Sequence, residues 1–93
     1  MEITQLIWLE DIVDKLHWKH NVEEQEVVEV LGNTPKFIHK ETGYQQSEDV
    51  YAAFGQTNSG RFLSVFFVYT QDKRAVIVSA RDMTEKERRK YVT

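Results

Sequence analysis

Residues 50–82 read VYAAFGQTNSGRFLSVFFVYTQDKRAVIVSARD. Two polar triplets divide this stretch, Asn58–Ser59–Gly60 and Gln71–Asp72–Lys73. Both have the composition of tight turns. The runs they separate, Val50–Gln56, Arg61–Tyr69 and Ala75–Ser79, are rich in β-branched and aromatic residues. Such runs are strands. Connections this short join antiparallel neighbours, because a parallel crossover needs a dozen residues or more. The long apolar run Arg61–Tyr69 is therefore a central strand. Upstream, Lys36–Lys40 alternates, with Phe37 and His39 on one face, and Glu41–Thr42–Gly43 turns the chain.

The flanks have helical spacing. Ile12, Val13 and Leu16 recur at helical intervals, and Trp18 extends the set. Asp11 is an N-cap or first-turn acid, and Asn21 stands where a left-handed cap stops this helix. A second helix covers Glu23–Leu31, with Val27, Val28 and Leu31 inward and Glu23, Glu26 and Glu29 outward; Gly32, Asn33 and Pro35 end it. At the far end Thr84–Glu85–Lys86–Glu87 is a capping box that opens a last helix to about Tyr91. The expected fold class is α+β, in the order ααββββα, with a four-stranded antiparallel sheet packed against helices.

The 93 residues amount to one small domain, 1–93, without repeat, linker or low-complexity segment. A chain this short buries only about 60–65% of its unfolded surface, so a permanent partner would help it. With no cysteine, neither disulfides nor thiolate metal sites are available. That fits a reducing, cytoplasmic setting. No apolar run reaches the length of a membrane span, so no membrane association is expected. Residues 1–60 hold 4 Lys/Arg and 11 Asp/Glu, whereas residues 61–93 hold 8 and 4. A basic end on an acidic body attracts phosphate locally; a solvated helix accounts for it equally well.

Several residues have chemistry to offer. His20 closes the first helix beside Lys19. A histidine there is a general acid or base, or simply a helix cap. Arg61 follows a glycine turn, and Arg81 follows the last strand. Guanidinium forks match phosphate oxygens, and two arginines at adjacent strand ends can converge on one phosphate. The rival for Arg81 is a salt bridge. Lys86, Arg88, Arg89 and Tyr91 lie on a basic helix, with Arg88 and Tyr91 on one face. Tyr91 either stacks on a base or packs on the sheet. His17 and His39 have no spacing that pairs them with His20, so no metal site is expected. Walker loops, nucleophile elbows and dinucleotide fingerprints are absent from the sequence.

Residues 76–91, VIVSARDMTEKERRKY, resemble the ISAR-x-x-T-x-x-E-R-x-x-Y signature of BrnT toxins. Residues 53–61, AFGQTNSGR, resemble that family's A-x-G-x-T-x-x-G-R hairpin. Trp8 stands twelve residues before His20, and Lys19–His20–Asn21–Val22 is similar to the K-H-G-V corner, with Asn21 for glycine. The resemblance implies a fold akin to RelE-type ribonucleases and a toxin that cleaves RNA without a cofactor. It also implies a cognate antitoxin resembling BrnA, of ribbon-helix-helix type, with DNA bound only through that antitoxin. Arg81, His20, Arg61 and Tyr91 become the catalytic candidates; Lys19, Arg88, Arg89 and Lys86 become the RNA-binding ones. Apolar Leu9, Ile12 and Leu16 stand where the family has polar residues. The alternative reading is a non-catalytic binding module that pairs with an antitoxin-like or regulatory partner.

Overall fold

In the computed structural model, residues 1–41 and 49–92 are described. The meander forms as its turns dictate. Strands β3 (Asp49–Gln56), β4 (Phe62–Tyr69) and β5 (Arg74–Asp82) pair antiparallel in sequence order, and β2 (Lys36–Glu41) pairs antiparallel with β3. Gly60 supplies φ +91° in the first turn, and Lys73 takes φ 65° in the second. The Glu41–Thr42–Gly43 turn falls largely outside the described residues.

The sheet has five strands and is mixed, not four-stranded and antiparallel. Strand β1 (Gln5–Ile7) lies parallel to β5 at the edge, giving the order β1-β5-β4-β3-β2. Three residues are too few to show a period of two, and a parallel partner 69 residues away (Gln5 to Arg74) has no turn to announce it.

Helices α1 (Glu10–His20) and α2 (Glu24–Gly32) cover one face of the sheet. The core there joins Leu16, Val22, Val27 and Val30 to Ala53, Leu63, Val65, Phe67, Ala75, Ile77 and Ala80. Burying each of the larger side chains stabilises the fold by about 1.5–3 kcal/mol. Gly55 lets α2 lie close to β3: a Cβ there would meet Val30 Cγ1 at 3.1 Å and Pro35 Cβ at 3.2 Å. Two inward assignments fail. Trp18 is 85% exposed and Val28 is exposed, while Val30 is buried. At 100° per residue Trp18 falls opposite Leu16, so the stripe ends at Leu16. Glu26, expected outward, is half-buried because an arginine reaches it.

Both expected stops and starts form. Asn21 adopts the left-handed conformation (φ 52°, ψ 43°) at the end of α1. Glu87 donates its N–H to Thr84 Oγ1 at 3.2 Å, and Thr84 donates its own to Glu87 Oε1 at 2.9 Å. That box opens α3 (Glu85–Val92), which lies on the opposite face of the sheet. A second box, Glu23 with Glu26, opens α2.

One irregularity decides the site. Phe66 pairs with Ser79 and Phe67 with Ile77, so Val78 is an extra residue in β5. Unbroken alternation from Ile77 would have carried Arg81 to the face that holds α1 and α2. The bulge reverses the pleat, placing Ala80 and Asp82 on that face and Arg81 on the other.

Candidate functional site

The start of β4, the end of β5, the α1–α2 corner and α3 meet at one end of the sheet. Arg61 enters from the glycine turn with its backbone held both ways: its carbonyl accepts Thr57 N–H at 2.9 Å, and its N–H donates to Thr57 Oγ1 at 3.0 Å. Its guanidinium points to the α1–α2 face. Nε and Nη2 donate to Asp82 Oδ1 and Oδ2 at 2.9 and 3.3 Å. Nη1 reaches both Glu26 oxygens at 3.1 Å and the Asn21 carbonyl at 2.8 Å, and Nη2 the His20 carbonyl at 3.2 Å. The Asp82 hydrogen bond, and Glu26 to a lesser degree, raise the Arg61 pKa. Asp82 in turn is held below its ordinary value, chiefly by Arg61 and in part by the nearby His20. His20 thus sits half-buried at the end of α1, beside the Asp82–Arg61 pair, while Lys19 is exposed.

Arg81 occupies the other face. Its Nη1 and Nη2 donate to Glu87 Oε1 and Oε2 at 2.7 and 2.9 Å, and its guanidinium carbon lies 5.0 Å from the Phe66 ring centre. Buried Ser64 donates to the same Glu87 at 3.0 Å. Hydrogen bonds from Arg81, Thr84 and Ser64 outweigh burial and hold the Glu87 carboxyl down at about 2. The salt bridge foreseen as the rival reading of Arg81 is present, and its partner is Glu87. The two arginines do not converge on one point, because the bulge sends them to opposite faces.

On the Arg81 face, three phenylalanines each carry a cation. Arg81 lies over Phe66, Arg88 lies 4.0 Å from the Phe62 ring centre, and Lys40 lies 5.7 Å from that of Phe54. Tyr91 meets the same Phe62 edge-on at 6.0 Å, so Arg88 and Tyr91 share a face as expected. Lys36 Nζ binds the Lys90 carbonyl at 2.7 Å. Lys86 and Arg89 are exposed on α3. The cations here suit phosphates, while the Phe54 ring is fully buried and that of Phe62 is already met by Arg88 and Tyr91. Asp82, Glu26, Glu87, Lys36 and Lys40 escaped the sequence reading. Only Glu87 left a signal, as the acid of the capping box.

A family model described as "Ribonuclease toxin, BrnT, of type II toxin-antitoxin system" matches residues 8–87. The chain belongs to the BrnT family. An RNA substrate and an antitoxin partner follow from that family's description. The fold agrees. The 1.1 Å crystal structure of the Brucella abortus ribonuclease toxin, BrnT, superposes with a TM-score of 0.64 at 18% identity, covering 87% of this chain and 97% of that one. No curated protein matches. The BrnT-family stretches Lys19–Val22, Ala53–Arg61 and Val76–Tyr91, apart in sequence, all contribute to the end of the sheet described above. Among the described residues, no helix is long and apolar enough to cross a membrane.

Proposed function

We propose that this chain is a cytoplasmic endoribonuclease toxin that cuts RNA without a metal ion, thereby stopping translation. A cognate ribbon-helix-helix antitoxin, resembling BrnA, holds it in check. The observation that carries the reading is the meeting of the three family segments at one end of the sheet. Arg81 and Tyr91 belong to the basic, aromatic face, and Arg61 and His20 to the α1–α2 corner on the opposite face.

The chemistry is transesterification. The RNA 2′-oxygen attacks the adjacent phosphorus and loses its proton to a base. The bond from phosphorus to the 5′-oxygen breaks, and that oxygen takes a proton from an acid. The products are a 2′,3′-cyclic phosphate and a 5′-hydroxyl. Tyr91, on the same face as Arg81, is the group for proton transfer, with His20 and Lys19 at the α1–α2 corner as the alternatives. Arg81, preoriented by Glu87 and Phe66, stabilises the charge that builds on the phosphorane oxygens. Arg61 spends its donors on Asp82, Glu26 and the corner carbonyls. It contributes by fastening the α1–α2 corner, which carries His20, to the end of the sheet. Lys86, Arg88 and Arg89 draw the RNA onto α3.

The test is cleavage of an end-labelled single-stranded RNA by the purified chain in excess chelator. Fragments ending in cyclic phosphate are expected, and a 2′-deoxy substitution at the cut site should abolish them. The pairing of both guanidiniums with carboxylates favours a second reading, a module that binds without turnover. RNA bound but left intact under every condition would select it.

A further inference from the structure

Trp18 does nothing for the core. It is 85% exposed, more than any other large apolar side chain among the described residues. Its ring contact is with neighbouring His17, at 5.7 Å and 79°, and His17 is itself bonded to Glu23 at 2.7 Å. Trp18 therefore stands on the last turn of α1, pointing to solvent.

Its surroundings are acidic. Asp11, Asp14 and Trp18 are spaced i, i+3 and i+7, one stripe along the outer face of α1. Across residues 10–29, seven Asp/Glu (Glu10, Asp11, Asp14, Glu23, Glu24, Glu26, Glu29) stand against Lys15 and Lys19 alone. Most of the other cations lie elsewhere: Lys86, Arg88, Arg89 and Lys90 on α3, with Arg81, Lys36 and Lys40 on the sheet face beneath it. An exposed indole beside carboxylates is the environment an arginine seeks: its plane stacks on the ring while its fork pairs with the acid.

We infer that Trp18, Asp14 and Asp11 form a protein-docking surface whose occupant is a basic, arginine-bearing segment of the antitoxin. The inference rests on the antitoxin reading above and adds where and by what chemistry that partner binds. Charge complementarity selects this occupant. RNA would bring phosphates against Asp11 and Asp14. A second copy of the chain would bring acids against acids across a two-fold contact. The surface lies on the helical layer, on the other side of the sheet from Arg81, Tyr91 and the cations of α3.

The experiment titrates the full chain with the purified protein encoded by the adjacent reading frame, and separately with a labelled single-stranded RNA. Wild type is compared with Trp18→Ala, Trp18→Phe and Asp14→Asn. A central tryptophan anchor makes a loss of about 10- to 100-fold in partner affinity the expected result for Trp18→Ala, with partial rescue in Trp18→Phe. Asp14→Asn should weaken binding less and flatten its salt dependence. RNA affinity should stay within about twofold, and Trp18→Ala should melt within about 4 °C of wild type, as exposed substitutions do. Unchanged partner affinity in Trp18→Ala overturns the inference while leaving the antitoxin reading intact. So does a loss of RNA binding instead, or a dimer of the chain alone that Trp18→Ala dissolves. Wild type that ignores the neighbour's product defeats the antitoxin reading itself and the inference with it.

Discussion

Arg61 and Arg81 are both tied to carboxylates at one end of one sheet, yet they perform different work. Arg61 joins residues far apart in sequence: Glu26 and the His20 and Asn21 carbonyls on one side, Asp82 on the other. It fastens the helical layer to the sheet. Arg81 is fastened locally, to Glu87 six residues on, and leans on Phe66. Its clamp ties the end of β5 to the first turn of α3 and leaves the guanidinium a third exposed, where the proposed function puts the phosphate. The donors of Arg61 bridge several elements, whereas those of Arg81 stay within its own stretch of chain, on Glu87 and the Asp82 carbonyl.

The sharpest way to break this contrast is to remove each arginine. Arg81→Ala should lower RNA cleavage on the order of 100- to 1000-fold, equivalent to about 2.7–4 kcal/mol in the transition state, at a temperature where the protein is shown to be folded. Arg81→Lys keeps the charge without the fork and should fall between. Full cleavage by folded Arg81→Ala would place the contrast on the wrong residue.

Arg61→Ala should act on stability first. It leaves Glu26 and Asp82 without their cation and two carbonyls without a donor, at a site where the arginine is only 25% exposed. The expected cost is about 2–3 kcal/mol in urea unfolding. If its unfolding midpoint matches wild type while cleavage disappears, Arg61 is chemical and not structural.

Acid separates the clamps more gently. Glu87 titrates near 2 in the fold against an ordinary 4.5. A depressed folded value stabilises the native state fully above the unfolded pKa, and the contribution is lost as pH falls from about 4.5 towards 2. Glu87→Gln should therefore flatten the stability profile in that window, at a cost near neutrality of about 1–2 kcal/mol after allowance for solvent. An unchanged acid limb would mean that other carboxylates, Asp82 first, set it.

The smallest effect is at the corner that presents its carbonyls to Arg61. Asn21 has φ 52°, and glycine at that angle has no strain. Asn21→Gly should move stability by no more than about 1 kcal/mol, and Asn21→Ala should cost about 1–2 kcal/mol. A large loss in Asn21→Gly would show that the asparagine side chain, not the backbone angle, holds the corner.

Local chemistry determined much of this protein from sequence. The turns at Asn58–Gly60 and Gln71–Lys73, the Asn21 cap and the Thr84–Glu87 box each act over a few residues. They placed three helices, four of the five strands and the antiparallel meander. The family segments pointed to the end of the sheet where the candidates lie. Tertiary structure decided the rest. Strand β1 is too short to declare itself, and its partner is the remote β5. The reach of Arg61 to Glu26 spans 35 residues and depends on how α2 lies on the sheet. Above all, the bulge at Val78 turned Arg81 away from Arg61 and gave Asp82 to it in exchange. A period of two tells which residues share a face only while the ladder is unbroken. One extra residue inverts every side chain that follows, and what makes room for it is the packing of neighbouring strands, not the residues of β5 alone.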